Sequence, residues 1–94
     1  MISENSVIQK SKEILMSVVD NEAVILGIKS GKYIGLNEIG TEIWNRLDQP
    51  IKISRLIQDF TEVYDENESI IHDHVMEFLN ILHNKSLIQI LHEA

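Results

Sequence analysis

The chain has 94 residues, of which 44% are hydrophobic and 24% are charged. These values are typical of one small globular domain with a modest core, and they exclude a multi-domain enzyme. Eight Lys and Arg against fifteen Asp and Glu give a formal net charge of −7, which works against nucleic acid or an anionic membrane surface as a partner and favours a basic one.

The chain contains no cysteine, which excludes a disulfide framework, a thiolate metal site and a cysteine nucleophile. No stretch approaches the ~20 consecutive apolar residues of a membrane span, and residues 1–10 lack the basic start and apolar run of a signal peptide. The four glycines and one proline are scattered, so no linker is indicated. We therefore expect a single cytoplasmic domain over residues 1–94, with no membrane partner.

The first third of the chain has the pattern of strands. Residues 14–19 and 23–28 are rich in Val, Ile and Leu, and the Asp-Asn pair between them suits a tight hairpin turn. Gly31 lies in a second turn, where we expect a positive φ, and residues 33–36 then resume an extended run. The sequence therefore predicts a three-stranded antiparallel meander.

Three amphipathic helices are predicted after the meander. Asn37, Ser54 and Asn67 are the expected N-caps, Pro50 ends the first helix, and the third helix runs to about His83. Apolar side chains recur at helical spacing on each: Ile39, Ile43, Trp44 and Leu47; Leu56, Ile57, Phe60, Val63 and Tyr64; and Ile71, Val75, Phe78, Leu79 and Leu82.

Residues 87–91 are again β-like. The order of three strands, three helices and a short C-terminal strand predicts an α+β domain of winged helix-turn-helix type, in which the helices pack on a small sheet.

The histidines are poor candidates for a metal site. On a helix, His72 and His74 point about 160° apart, and His72 and His83 lie ~16 Å apart along the axis. Two ligands on one helix face require a spacing of four residues. Glycine-rich phosphate loops and nucleophile motifs are also missing from the sequence. We therefore expect no catalytic residues, no metal and no cofactor.

The charge distribution argues against DNA binding. Residues 1–47 carry five Lys and Arg and six Asp and Glu, whereas residues 48–94 carry three and nine. No Lys or Arg lies between Arg55 and Lys85, an interval that contains the whole third helix. A helix that enters a DNA groove needs cations for the phosphates, so we expect no nucleic-acid partner.

Two surfaces remain as candidate binding sites. The third helix has more apolar side chains than one core stripe needs, and Met76 either completes the core or lies at the rim of a groove. The predicted strand 33–36 is the last of the meander, so its open edge could accept an extended peptide. Gly35 either belongs to that open edge or gives the following helix room to pack.

The segment Gly-Lys-Tyr-Ile-Gly-Leu-Asn-Glu-Ile-Gly-Thr-Glu-Ile-Trp at residues 31–44 resembles the PqqD family. Residues 53–56, Tyr64, residues 75–79 and the Leu-Ile pair at 87–88 extend the resemblance, which covers about residues 14–91. PqqD-like proteins are the peptide-recognition domains, or RiPP recognition elements, of ribosomal peptide modification systems.

Within that family, a free-standing acidic protein of this length is most similar to the discrete leader-binding protein of split lasso-peptide systems. The resemblance implies a protein that is not an enzyme. It would bind the leader of a precursor peptide and present it to a leader peptidase of transglutaminase-like type and to a cyclase.

The resemblance also implies a site, with the leader as an added strand on the third strand of the meander. The docking edge would be the main chain of Lys32, Tyr33, Ile34, Gly35 and Leu36, with His72, Val75, Met76 and Leu79 as side-chain contacts. We expect proline at Ile34 to remove a main-chain donor from this edge.

The chain departs from the family pattern at two positions. His74 stands where the family often has Asp, and Ser86 stands where it often has Gly; the second change would leave a non-glycine residue in a left-handed conformation at the end of the third helix. The alternative hypothesis is a winged-helix regulator or adaptor that acts through protein contacts.

Overall fold

A computed structural model describes residues 2–20 and 22–92 of the chain. The described elements are, in order, β1 (Val7–Lys10), β2 (Ile14–Val19), β3 (Glu22–Gly27), β4 (Tyr33–Leu36), α1 (Glu38–Asn45), β5 (Ile51–Lys52), α2 (Ile53–Tyr64), α3 (Glu68–Asn84) and β6 (Ile88–His92). A short 3₁₀ turn, Arg46–Asp48, continues α1. The predicted α+β class is confirmed. Across the described residues, no helix combines the length and apolarity that a bilayer span requires.

The predicted meander is present, with strand order β2-β3-β4 and antiparallel pairing throughout. Gly31 has the expected positive φ, +71°, in the turn between β3 and β4. Asp20 has a φ of +51° in the turn before β3, and its neighbour Asn21 lies outside the described residues.

A second three-stranded sheet, with the order β5-β1-β6, was not predicted from the sequence. β1 pairs antiparallel with both neighbours, with Ile8 opposite Ile51 on one side and Ile90 on the other. Ile8 is fully buried, and Ile2 is also part of the core. The hydrophobic core therefore extends beyond residues 14–91, the range covered by the resemblance.

Two of the three predicted helix caps are confirmed. The side-chain Oδ1 of Asn37 accepts the N–H of Gly40, and that of Asn67 accepts the N–H of Ser69, both at 2.8 Å. The prediction of Ser54 as a cap was wrong, because α2 begins one residue earlier, at Ile53.

The N-terminal segment replaces the missing side-chain cap of α2. The N–H groups of Ile53 and Ser54 donate to the carbonyl oxygens of Ser6 and Glu4, at 3.0 and 2.9 Å. Two of the N–H groups that a helix leaves free at its start are thus paired with backbone.

The core lies between the helices and the two sheets. Its buried apolar side chains come from every helix: Ile43, Trp44 and Leu47; Ile53, Leu56, Ile57 and Phe60; Val75, Leu79 and Leu82. Ile39 and Val63 were predicted in the apolar stripes but are exposed, because Ile39 lies in the first turn of α1 and Val63 in the last turn of α2, where the neighbouring elements do not cover them.

Ser86, at the end of α3, has a φ of +60°, as its place in the family pattern implied. A residue with a Cβ pays about 1 kcal/mol or more in this conformation. We expect Ser86→Gly to raise the free energy of unfolding by about 1 kcal/mol, whereas Ser86→Ala, which keeps a Cβ, gives no gain. Urea denaturation of the three proteins measures the difference; equal stability of the glycine and alanine variants would contradict it.

Candidate functional site

β4 is the outer strand of the meander, and hydrogen bonding defines which of its backbone N–H and C=O groups are free. The N–H of Gly27 donates to the carbonyl oxygen of Lys32 at 2.9 Å. Because the N–H and C=O groups of one residue point to the same side of a strand and the side alternates from residue to residue, the N–H and C=O groups of Lys32, Ile34 and Leu36 face β3. Those of Tyr33 and Gly35 face away from the sheet, and no described strand pairs with them.

This alternation changes the expectation for Ile34. Its N–H faces β3 and lies within the sheet, so the prediction that proline at Ile34 would remove an edge donor was wrong. Proline there would break the pairing of β4 with β3. Gly35 is the position at which proline removes a donor that faces solvent.

The side chains of β4 also alternate between the two faces of the sheet. Leu36 is buried and Ile34 is half-buried on the face that meets the helices, whereas Tyr33 is 66% exposed. A Cβ built on Gly35 would meet no atom within 4 Å. The interpretation that Gly35 gives the following helix room to pack was therefore wrong, and Gly35 belongs to the open edge.

A groove runs beside β4, with the ring of Phe78 at its centre. A cavity of about 350 Å³ lies against Ile34, Gly35, Leu36 and Phe78. A second, of about 370 Å³, continues along α3 between Phe78 and Ile81. We call this surface, from Ile34–Leu36 across Phe78 to Ile81, the Phe78 groove.

The largest of these cavities, about 520 Å³, opens on the other side of Phe78, between α1, α2 and α3. It is mainly apolar, and its lining includes Ile39, Ile43, Phe60, Ile71 and Val75. The apolar side chains that form its walls continue the Phe78 groove into the helical layer.

Polar groups lie at the mouth of this cavity. The hydroxyl of Tyr64 donates to Glu42 Oε2, which joins α2 to α1. This hydrogen bond, with lesser contributions from desolvation and from the charges of Glu42 and Glu38, raises the pKa of Tyr64 above its ordinary value. Tyr64 is therefore a neutral hydrogen-bond donor at physiological pH.

Close packing of α1 fixes the position of Phe78. A Cβ on Gly40 would lie 3.5 Å from Phe78 Cζ and 3.6 Å from Leu36 Cβ. The absence of a side chain at Gly40 thus lets the start of α1 approach the point where β4 meets Phe78.

The helix residues named by the resemblance fall in two different places. Leu79 is 0% exposed and Val75 is nearly so, although Val75 borders the largest cavity. Met76 is half-buried against the core, and at 100° per residue it points about 160° away from Phe78. Of these residues, only Val75 lines one of the cavities beside Phe78.

His72 lies on the same flank as Met76 and contacts the N-terminal segment. Its Nε2 is 2.8 Å from Glu4 Oε1, and its Nδ1 is 3.0 Å from Asp73 Oδ1. The hydrogen bond to Asp73 raises the pKa of His72; desolvation opposes this, and the charges of Glu4, Asp73 and Glu68 add to it. In the described structure this imidazole tethers the N-terminal segment to α3.

A pH dependence of stability follows from this tether. The pKa of His72 is higher in the folded chain than in the unfolded one, so its stabilisation is fully present below about pH 6.5 and is lost as the pH rises through the folded pKa. We expect the melting temperature of the wild type to fall slightly more than that of His72→Gln between about pH 6 and about pH 8. An equal fall in melting temperature for the two proteins, measured by thermal scans at both pH values, would contradict this prediction.

The residues that sequence reasoning missed are Phe78, His74 and Ile81. Phe78 was assigned to the apolar stripe of the third helix. His74, Phe78 and Ile81 are separated by four and three residues, so all three lie on one side of α3. This spacing was the signal available in the sequence. What the sequence lacked was the position of β4 beside that side of the helix.

Charge is unevenly distributed along the groove. Glu22 borders it near Leu36, and Glu77 borders it farther along α3. Lys32 lies at the opposite end of β4. A ligand cation is therefore favoured near the Leu36 end. The part of the chain that the structure describes contains no group of three or more His, Cys, Asp or Glu placed to hold a metal ion.

A family model described as coenzyme PQQ synthesis protein D (PqqD) matches residues 22–88, which run from the start of β3 to the first residue of β6 and make up more than half of the chain. The chain belongs to the PqqD family. The resemblance of residues 31–44 is thereby confirmed. No curated protein sequence matches the chain significantly.

Two solved structures share this PqqD-like fold. One is TbiB1 in complex with the TbiA(beta) leader peptide. TbiB1 is 24% identical to this chain with a TM-score of 0.74, and the match covers 92% of this chain and 98% of TbiB1. The other is the PqqD truncation of Methylobacterium extorquens PqqCD, a stand-alone RiPP recognition element solved by NMR. It is 18% identical with a TM-score of 0.75 and 95% coverage of both chains.

Proposed function

We propose that this PqqD-family protein binds the leader of a ribosomally synthesised precursor peptide as an added strand on β4. The observation that carries the proposal is the free edge of β4. There the N–H and C=O groups of Tyr33 and Gly35 face away from β3, beside an apolar groove. Main-chain hydrogen bonds would give affinity, and side-chain pockets would give specificity.

The proposed site keeps the predicted docking edge and revises the helix contacts. Lys32, Tyr33, Ile34, Gly35 and Leu36 supply the edge. Phe78, His74 and Ile81 replace His72, Met76 and Leu79 as the side chains that contact the peptide, with Val75 beneath them. This choice rests on position. Phe78 lines the cavity against β4 and, with His74 and Ile81, the next cavity along α3, whereas His72, Met76 and Leu79 line neither.

The comparisons support the proposal through the fold. TbiB1 was solved with a leader peptide, and the Methylobacterium domain is described as a functional stand-alone recognition element. Both match nearly the whole of this chain in fold, which supports a peptide-binding role for the same fold here.

We further propose that the precursor is a lasso peptide and that the protein is a non-catalytic, cytoplasmic component that presents the leader to a leader peptidase and a cyclase. The acidic border of the groove, with Glu22 and Glu77, supports a leader that carries cations beside its apolar segment. Glu66, in the lining of the largest cavity, adds to this negative charge.

The experiment is a titration of a labelled leader peptide with the purified chain, read by fluorescence anisotropy at low and high salt. The peptide comes from a small precursor encoded beside this protein, and a scrambled peptide of the same composition is the control. We expect saturable binding of the true leader that weakens in high salt but persists, because the acidic border is screened and the apolar and main-chain contacts are not. Equal binding of both peptides, or no binding, would contradict the proposal.

A further inference from the structure

β2 forms the opposite edge of the meander, and three of its exposed side chains are apolar. Leu15, Met16 and Val18 are 58%, 45% and 65% exposed, and residues 14–19 contain neither a charge nor a proline. Soluble proteins usually protect a free edge with charged residues, proline or a bulge. The six residues of β2 pair with β3 in regular register, without a bulge. β2 therefore has none of these protective features.

The outward peptide groups of β2 can be assigned in the same way as those of β4. The N–H of Ile28 donates to the carbonyl oxygen of Glu13 at 2.9 Å, so Glu13, Leu15 and Ser17 face β3. The N–H and C=O groups of Ile14, Met16 and Val18 face away from the sheet, and no described strand pairs with them. This edge offers three outward residues, one more than β4 offers.

We propose that the occupant of this edge is a second copy of the chain, paired antiparallel through β2 about a two-fold axis at Met16. In this register, Met16 lies opposite Met16 of the partner subunit, and Ile14 lies opposite Val18 of the partner subunit. All three outward residues of each strand then form hydrogen-bonded pairs.

Charge complementarity supports the antiparallel direction of this pairing. Lys12 lies just before β2 and Asp20 just after it, so antiparallel pairing brings the Lys12 end of each strand near the Asp20 end of the other. The uncharged centre lets two chains of net charge −7 meet without like charges between them. A shift of two residues in either direction would leave one outward residue of each strand without a hydrogen-bonded partner in the other strand.

The result is a closed dimer with a six-stranded sheet of order β4-β3-β2-β2-β3-β4. The interface is isologous, so it ends at two copies and leaves no further β2 edge for growth. Both β4 edges stay free at the ends of the sheet. The dimer thus carries two copies of the proposed peptide site, and its formation does not depend on peptide binding.

Single cysteines test the register, because the chain has no cysteine of its own. In Met16→Cys the two Cα atoms at the axis would be ~5.5 Å apart, within the reach of a disulfide. In the control, Val18→Cys, they would be separated by four residues along the strand, ~13 Å. We expect covalent dimer from the first variant alone on mild oxidation. Equal cross-linking of both variants, or of neither, would overturn the proposed register.

Sedimentation equilibrium of the unmodified chain tests the association itself. We expect twice the monomer mass of 10.8 kDa at high protein concentration. Met16→Lys, which places two ammonium groups opposite each other at the axis, should return the monomer with an unchanged circular dichroism spectrum. A wild-type chain that remains monomeric at millimolar concentration, or a Met16→Lys chain that still dimerises, would overturn the proposal.

Discussion

Gly35→Pro is expected to weaken leader-peptide binding by about tenfold or more, whereas Gly35→Ala is expected to bind like the wild type. The N–H of Gly35 faces away from β3, so proline removes a donor to the added strand and places its ring where that strand would lie. One hydrogen bond contributes about 1 kcal/mol, and a tenfold change in affinity corresponds to about 1.4 kcal/mol. Anisotropy titration of the three proteins measures the effect.

The alanine control separates edge pairing from folding. A Cβ on Gly35 meets no neighbouring atom, so Gly35→Ala should fold and melt like the wild type. Proline is tolerated in an edge strand when its nitrogen faces solvent, so Gly35→Pro should also fold. If the proline and alanine variants bind with equal affinity, strand addition to β4 is wrong.

Phe78→Ala is expected to lower leader affinity by about tenfold or more, because its ring lies at the centre of the groove and lines the cavities on both sides of it. Aromatic side chains in such central positions carry a large share of binding energy. Binding is measured at a temperature at which circular dichroism shows each variant to be fully folded.

Met76→Ala is the matched control for Phe78→Ala. Met76 lies on the same helix and is also half-buried, but it points to the other flank of α3. We expect its affinity to stay within about twofold of the wild type, although its stability falls through lost packing. Loss of affinity in Met76→Ala and not in Phe78→Ala would place the peptide on the flank of His72 and Met76.

The sequence predicted the elements whose signals are local. Asn37 and Asn67 cap their helices through their own side chains, and Gly31 takes the positive φ that its turn requires. These residues act on backbone groups within a few positions of themselves, so their roles do not depend on the rest of the fold.

Elements that depend on distant partners could not be predicted. β1 is a four-residue strand, and its pairing partner β6 lies about 80 residues later, as in the pair Lys10 and Ile88. The start of α2 is likewise set by the carbonyl groups of Glu4 and Ser6, and not by Ser54. Nothing within either short segment specifies these partners.

The candidate site shows the same division between local and distant signals. The sequence motif identified β4 as the docking edge, but the outward direction of Tyr33 and Gly35 depends on the bond between Gly27 and Lys32. The apolar stripe of α3 identified a buried face without showing where that face emerges from the core. Phe78 borders the groove because β4 and α1 end beside it.

The decisive measurement is amide hydrogen exchange of the ¹⁵N-labelled chain by NMR, with and without the leader peptide. In the free protein, the amides of Ile34 and Leu36, which bond to β3, should exchange slowly, and those of Tyr33 and Gly35 should exchange fast. Strand addition predicts that the peptide slows exchange at Tyr33 and Gly35. Saturating peptide that leaves these two amides unprotected would contradict leader recognition at the β4 edge.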